Sequence, residues 1–214
     1  MDTQPKLRIF GTVISTYTRI VQTTAEEAGV PWEIIATPAN SEENRKRHPF
    51  RKVPTVEVDG IELFESVAIT QYIDNMHNGG ALQPKDPRER AEMDRWISIA
   101  NSYLFPTSEH GLLMPYLAHR HLNTPLRSDI IEAAIPEIAE HLGIVCERLE
   151  QSPYFAGPSF TLADIFLYCI LRPVQLTPEG DNLIGQLLPV RHWLNKLGKR
   201  ESLIATRWPV EIEE

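Results

Sequence analysis

Lys52–Ser66 reads KVPTVEVDGIELFES. Thr55–Val58 and Ile61–Phe64 are short runs rich in apolar residues, separated by Asp59-Gly60, a dipeptide suited to a two-residue hairpin turn. A hairpin requires neither of the features at its ends. Pro54 stands directly before the first strand, where its missing N–H weakens any ladder. Glu65-Ser66 stands where the second strand stops and a helix begins, because VAITQYIDNMH beyond it sets Val67, Ile69, Ile73 and Met76 among helical positions.

Upstream, Leu7–Phe10 predicts a short strand ended by Gly11, then a loop and a helix carrying Ile20, Val21, Thr24 and Ala28 and stopped by Gly29. Trp32–Ala36 predicts a second strand, and a strand–helix–strand unit of this length implies a parallel pair with a right-handed crossover. The polar stretch PANSEENRKRHPFRK predicts a loop with at most a helical turn or two. The helix after the hairpin ends at Asn78-Gly79-Gly80. Residues 1–80 therefore read as β-α-β-loop-β-β-α, a mixed sheet in one compact domain.

Residues 81–87, ALQPKDP, have the two prolines of a linker, and beyond them only helical periodicity remains. Arg88–Tyr103 predicts one helix through Met93, Trp96, Ile97, Ala100 and Tyr103, with Pro106 and Pro115 interrupting the chain beyond it. Asp129–Gln151 predicts a long helix in which Pro136 marks a start, a kink or a boundary. Thr161–Leu176 is strongly apolar and Leu183–Leu197 amphipathic, so residues 88–214 read as an all-helical domain. In FTLADI, Thr161 suits an N-cap with Asp164 reaching back, and Phe160 and Ile165 fall at staple positions; this is a folding device, not a catalytic motif.

Lys plus Arg number 21 against 29 Asp plus Glu, a net charge of −8 that gives no general attraction to nucleic acid or an anionic membrane. The N-terminal MDTQPKLRIFGTVIS lacks the charged head and apolar run of a secretory leader, and no apolar run reaches the roughly 20 residues that span a bilayer. Cys146 and Cys169 lie far apart in helical apolar surroundings, which favours reduced thiols in a cytoplasmic compartment over a disulfide. The histidines show no metal spacing; His119 and His121 are two apart and face different sides of a helix.

Three places in the first domain carry ligand chemistry. Pro54 reads either as an ordinary trans proline at a strand start or as a cis bond that turns the Val53 N–H and C=O outward, to pair with a peptide-like ligand. Ser66 reads as a plain N-cap or, with its N–H and the helix dipole, as a carboxylate site beside Glu65 facing an ammonium. Thr12, Ser15, Thr16 and Thr18 crowd the first strand-to-helix turn. A hydroxyl and bare N–H groups there stabilise a thiolate, while no base stands ready to make Ser15 a nucleophile.

The chain resembles a soluble glutathione S-transferase over nearly its whole length, through HPFRKVPTVEVDG, LFESVAITQYI and PYFAGPSFTLADIFLY in that order. FGTVISTYTR is similar to the phi class and phi-like bacterial groups. The resemblance implies a thioredoxin-like first domain, a helical-bundle second domain and a homodimer in which Phe50 matches an aromatic inserted into the partner. It implies glutathione as co-substrate and no metal. Ser15 matches the serine that holds the thiolate, Val53 before cis-Pro54 the contact to the cysteinyl part, and Glu65 and Ser66 those to the γ-glutamyl end; Lys52 approaches the glycyl end. The loop Thr37–Arg47 is shorter than in the phi class, and Ala39 and Asn40 fall near the places of its basic residues.

The electrophile pocket implied by the family would be lined by Thr12 and Val13 and, from the helical domain, by Tyr103, Phe105, His110 and Tyr116, with Trp208 of the tail. The expected activity is attack of a glutathione thiolate on a hydrophobic electrophile, in detoxification. A non-catalytic binding protein of the same fold, or a peroxidase, dehalogenase, ether-cleaving or isomerase activity using glutathione, remains the alternative.

Overall fold

The structure, a computed structural model, describes residues 7–211. Residues 1–6 and 212–214, on which the reading of the N-terminus and the outer domain bounds partly rest, lie outside the described residues. The chain divides into two compact units, one running to Pro84 and resuming at Lys199, the other spanning Lys85–Gly198.

The first unit opens with β1 (Leu7–Gly11), α1 (Thr16–Glu27), β2 (Trp32–Ala36), α2 (Glu42–Arg47), β3 (Thr55–Val58), β4 (Ile61–Leu63) and α3 (Ser66–His77). The sheet order is β2-β1-β3-β4, parallel between β1 and β2 and antiparallel elsewhere. The hairpin turns at Asp59 (φ 50°) and Gly60 (φ 80°), the pair of left-handed residues that a two-residue turn needs.

Period-2 alternation splits the sheet into two chemistries. Leu7 and Ile9, with Val56 and Val58, pack against Val21, Ala25, Ile69 and Ile73 in a core exposed by no more than 5% at any buried position. The opposite side carries a ribbon of charge across all four strands. Arg8 bonds Glu33 at 3.3 Å and Glu57 at 2.6 Å, and Arg47 from α2 bonds Glu57 at 2.7 Å and Glu62 at 2.5 Å. The Arg47 guanidinium also lies 3.6 Å over the Phe10 ring, so this side of the sheet is covered by cation–π contact and ion pairs.

The second unit is all helix: α4 (Pro87–Ile99), α5 (Phe105–Ser108), α6 (Met114–Leu122), α7 (Ser128–Gln151), α8 (Leu162–Gln175), α9 (Pro178–Gln186) and α10 (Leu188–Leu197). Two proline positions differ from expectation. Pro106 and Pro115 do not interrupt the chain, which stays helical from Pro87 to Leu122 through two π-turn segments, Ala100–Leu104 and Glu109–Leu113. Each proline falls within the first two residues of the segment after a π turn. A π turn widens the ring to i→i+5, which accommodates a residue with no N–H and a ring that crowds the preceding turn. Pro136 lies inside α7, which continues through it. By contrast, the amphipathic stretch Leu183–Leu197 is divided between two helices, broken at Leu187 with Pro189 in the first turn of α10.

Helix α8 is the axis of this unit, buried along nearly its whole length. Asp164 accepts from the Thr161 N–H at 2.9 Å and hydroxyl at 3.1 Å, closing the capping box, and from the Phe155 N–H at 3.2 Å. Burial raises its carboxyl to about 6. Phe155 sits between Trp96 (4.8 Å) and Trp193 (5.1 Å, edge-on), so the same aspartate ties the loop before α8 to the aromatic core.

The chain then returns to the first unit through α11 (Glu201–Ala205) and a 3₁₀ turn, Pro209–Glu211. Trp208, expected as a pocket lining, is only 5% exposed there. Cys146 and Cys169 are buried thiols with no disulfide between them. Among the described residues no helix is long and apolar enough to cross a membrane, and no three His, Cys, Asp or Glu side chains form a metal-holding group.

Candidate active site

Strand register brings the three ligand-chemistry places to one edge of the sheet. β1 ends at Gly11, and its neighbour Phe10 is opposite Thr55, the first residue of β3. β3 runs away from that edge and β4 returns to it, pairing Leu63 with Val56. The turn into α1, the residues before β3 and the start of α3 are therefore neighbours, although Ser15 and Ser66 are 51 positions apart in sequence.

At the first, Ser15 is the N-cap of α1 at φ −83° and ψ 124°. Its Oγ accepts the Thr18 N–H at 3.3 Å and its C=O accepts the Arg19 N–H at 3.0 Å. With the oxygen used as acceptor, the hydroxyl proton remains available to donate outward. No acidic side chain occupies the first turn of α1, so the positive end of the helix is not neutralised from within. Thr16 and Thr18 are buried, whereas Val13 is 52% exposed and Ile14 43%, which leaves Ser15 as the cap hydroxyl among apolar neighbours. Thr12 is half-buried, and its carbonyl accepts the Ser15 N–H at 3.1 Å.

At the second, the Val53–Pro54 bond is cis. The β1–β3 ladder begins beyond it, at Thr55. The preceding carbonyl, that of Lys52, is held at 2.9 Å by the Nδ2 of Asn44, which also donates to the Ala39 carbonyl at 2.7 Å. Asn44 is fully buried. A polar residue in a run of charge gave no sign of this role, yet it pins the loop on which Lys52 and Val53 are carried.

At the third, Glu65 occupies the N-cap position of α3 without a side-chain capping bond, at φ 70° and ψ 110°, a conformation a non-glycine residue rarely adopts, and Ser66 is the first helical residue. The Glu65 side chain is 65% exposed, with one oxygen 3.9 Å from the Nε2 of His48. His48 is 2% exposed and packs against Phe64 with centroids 4.8 Å apart and the rings tilted by 45°. Its Nδ1 accepts the Phe50 N–H at 3.2 Å, which puts the ring proton on Nε2, toward Glu65. Burial holds its pKa below the ordinary histidine value. Of the basic run Arg45–His48, Arg47 is engaged by the sheet and His48 is buried and neutral, while Arg45 and Lys46 are exposed.

The remaining expected residues lie in the second unit. Tyr103 is 58% exposed with its ring edge-on to His141 at 6.4 Å. Phe105 is half-buried directly after the first π turn, and His110 is exposed within the second. The Tyr116 hydroxyl donates to the Glu179 carboxylate, 2.8 Å and 3.1 Å from its two oxygens, and burial beside that carboxylate raises it to about 12. It serves as a clasp between α6 and α9.

Comparison with known proteins bears on the family and the fold. The profile "Glutathione S-transferase, N-terminal domain" matches residues 5–75, and "Glutathione S-transferase, C-terminal domain" matches residues 128–196. Glutathione S-transferase APIC of Nicotiana tabacum is 30% identical over 171 residues, 74% of this chain and 78% of the relative. Glutathione S-transferase F14 of Arabidopsis thaliana is 29% identical over 163 residues, 74% of this chain; the match spans 64% of that relative's length. Among solved structures, glutathione transferase F2 from Populus trichocarpa superposes with a TM-score of 0.84 at 27% identity, covering 96% of this chain and 98% of its own. A thioredoxin-like unit with a serine capping its first helix, an all-helical second unit and these likenesses together make the chain a phi-like member of the glutathione S-transferase family.

Proposed function

We propose that the protein is a glutathione transferase in which Ser15 and the N-terminus of α1 hold the glutathione sulfur as a thiolate. The Ser15 hydroxyl donates to the sulfur, and the uncompensated helix end lowers the thiol pKa from its usual value of roughly 8.5. The thiolate then attacks an electrophilic carbon, forming a C–S bond as the leaving group departs or the acceptor takes up a proton. No covalent enzyme intermediate is involved; the protein acts by local electrostatics.

In this reading Val53 pairs with the cysteinyl backbone beside Pro54, Glu65 and Ser66 take the γ-glutamyl ammonium and carboxylate, and Lys52 attracts the glycyl carboxylate. The candidates for contact with the electrophile are Thr12 and Val13 in the first domain and, taken separately, Tyr103, Phe105, His110 and Tyr116 in the helical one. Residues 1–80 carry the glutathione site, 81–87 are the linker and the helical domain begins at residue 88, while from Lys199 the chain belongs again to the first unit. Phe50, an aromatic 72% exposed in a charged loop, suits a socket in a second copy, and we assign the working form as a cytoplasmic homodimer with a detoxifying role.

The observation that carries the proposal is the Ser15 cap: an Oγ already accepting the Thr18 N–H, with no acid in the helical turn it opens. Calorimetry and turnover of an activated chloronitroarene test it. Ser15→Ala is expected to bind glutathione within about threefold of the parent while kcat/KM falls about a hundredfold, the scale of one lost transition-state donor. Undiminished turnover would overturn the assignment.

A further inference from the structure

Arg19, Thr23 and Glu27 recur at four-residue spacing and so share one face of α1. Each is bonded to the returning C-terminal segment, in reverse chain order. Arg19 meets the Glu211 carboxylate at 2.5 Å and 3.4 Å, the Thr23 and Thr206 hydroxyls lie 2.9 Å apart, and Glu27 takes a two-pronged contact from Arg200 at 2.5 Å and 2.6 Å. Ser202 also donates to Glu27. The segment thus lies antiparallel along the helix as a strap with three polar rungs, all inside the first unit.

The rung nearest Ser15 is chemically the least expected. Arg19 and Glu211 side chains are 0% and 1% exposed. A buried ion pair is a poor source of stability, because desolvating two charges offsets most of their attraction, and an apolar pair of similar volume often holds a fold better. What the pair supplies is direction: a planar guanidinium meets a carboxylate in few geometries. The Glu211 oxygen nearest Arg19 is fixed in turn by the Trp208 N–H at 3.1 Å, and Arg19 reaches the Leu203 carbonyl at 3.5 Å. Arg19 is one helical turn past Ser15, bonded through its own N–H to the Ser15 carbonyl, and helical side chains lean toward the N-terminus.

We propose that Arg19 and Glu211 are positioning residues: through their pairing the C-terminal strap sets the first turn of α1 and hence the aim of the Ser15 hydroxyl and helix N–H groups at the ligand sulfur. The proposal rests on the role given to Ser15 above. It makes the end of the chain part of the catalytic apparatus without contact to substrate.

The test replaces both charges at once, Arg19→Met with Glu211→Leu, so that net charge is unchanged and no charge is left buried alone. Urea unfolding is expected to match or exceed the parent. The thiol pKa of bound glutathione, read from thiolate absorbance across pH, should rise by about half to one unit, and kcat should fall about three- to tenfold with glutathione affinity within about twofold. A folded double variant with the parent's thiol pKa and kcat overturns the proposal. Glu211→Gln, which leaves an oxygen for the guanidinium, gives a second readout should the double variant fail to fold. Amide exchange at Thr18 and Arg19 is expected to quicken several-fold, and unchanged protection there overturns the proposal as well. Ser15→Ala run in parallel separates the two claims. If it raises the thiol pKa and the double variant does not, the strap inference alone fails. If it leaves the thiol pKa untouched, both fall.

Discussion

Glu65 is held at φ 70° against the steric preference of any residue with a Cβ, at a cost of about 1–3 kcal/mol for such a conformation. The start of α3 is where that strain is useful, because it swings the carboxylate out of the helix and leaves the Ser66 end of the helix open to an anion. Ser66→Ala should therefore weaken glutathione binding about tenfold, the worth of one hydrogen bond to a charged group, while leaving the thiol pKa of whatever binds unchanged. Calorimetry beside thiolate absorbance checks both halves, and an affinity within twofold of the parent would contradict the clamp. The place of Glu65-Ser66 at the start of a helix was legible in the sequence, because the apolar spacing beyond it is helical. His48 and Asn44 were not. Both sit in a run of charge that reads as a solvated loop, and only the fold reveals that one is 2% exposed against Phe64 and the other fully buried under the Lys52 carbonyl.

At the level of elements, the strands and the helices flanking them came from period and turn chemistry, and FTLADI announced the start of α8. The π turns and the break at Leu187 did not, since a proline in a helical pattern reads as an interruption whether the chain breaks or widens by one residue per turn. The α8 cap carries a pH signature. The Asp164 carboxyl titrates near 6 in the folded chain and about 3.9 when unfolded, so the folded state binds the proton more tightly. The stabilisation from that proton is full below the unfolded value and is lost as pH rises through 6, up to about 3 kcal/mol across the interval. Asp164→Asn, which cannot ionise, should lack this falling component. Urea unfolding of both forms between pH 4 and 7 measures it, and identical pH slopes would refute the burial argument.

On the scale of the whole molecule, two units share one chain that leaves the first unit at Pro84 and re-enters it at Lys199. Local periodicity gave no hint of the return, because the contacts that define it join residues as much as 192 apart. Arg19 in an amphipathic helix and Glu211 in an acidic tail each look like surface charges until they are brought together. The proposed homodimer is a claim at this scale. Phe50, exposed by 72%, is the residue whose removal should matter most to self-association. Phe50→Glu is expected to convert a sedimenting dimer to a monomer at micromolar concentration with the fold intact by circular dichroism; an unchanged dimer would move the interface elsewhere.

The central claim is that a serine at a helix N-terminus lowers the pKa of a bound thiol. Its most direct test is the ultraviolet absorbance of glutathione thiolate bound to the parent and to Ser15→Ala, titrated from pH 5 to 10. The parent is expected to ionise the bound thiol about two units below the free thiol's value, and Ser15→Ala to return it to within about half a unit of that value. Superimposable titrations of the two proteins would contradict the account.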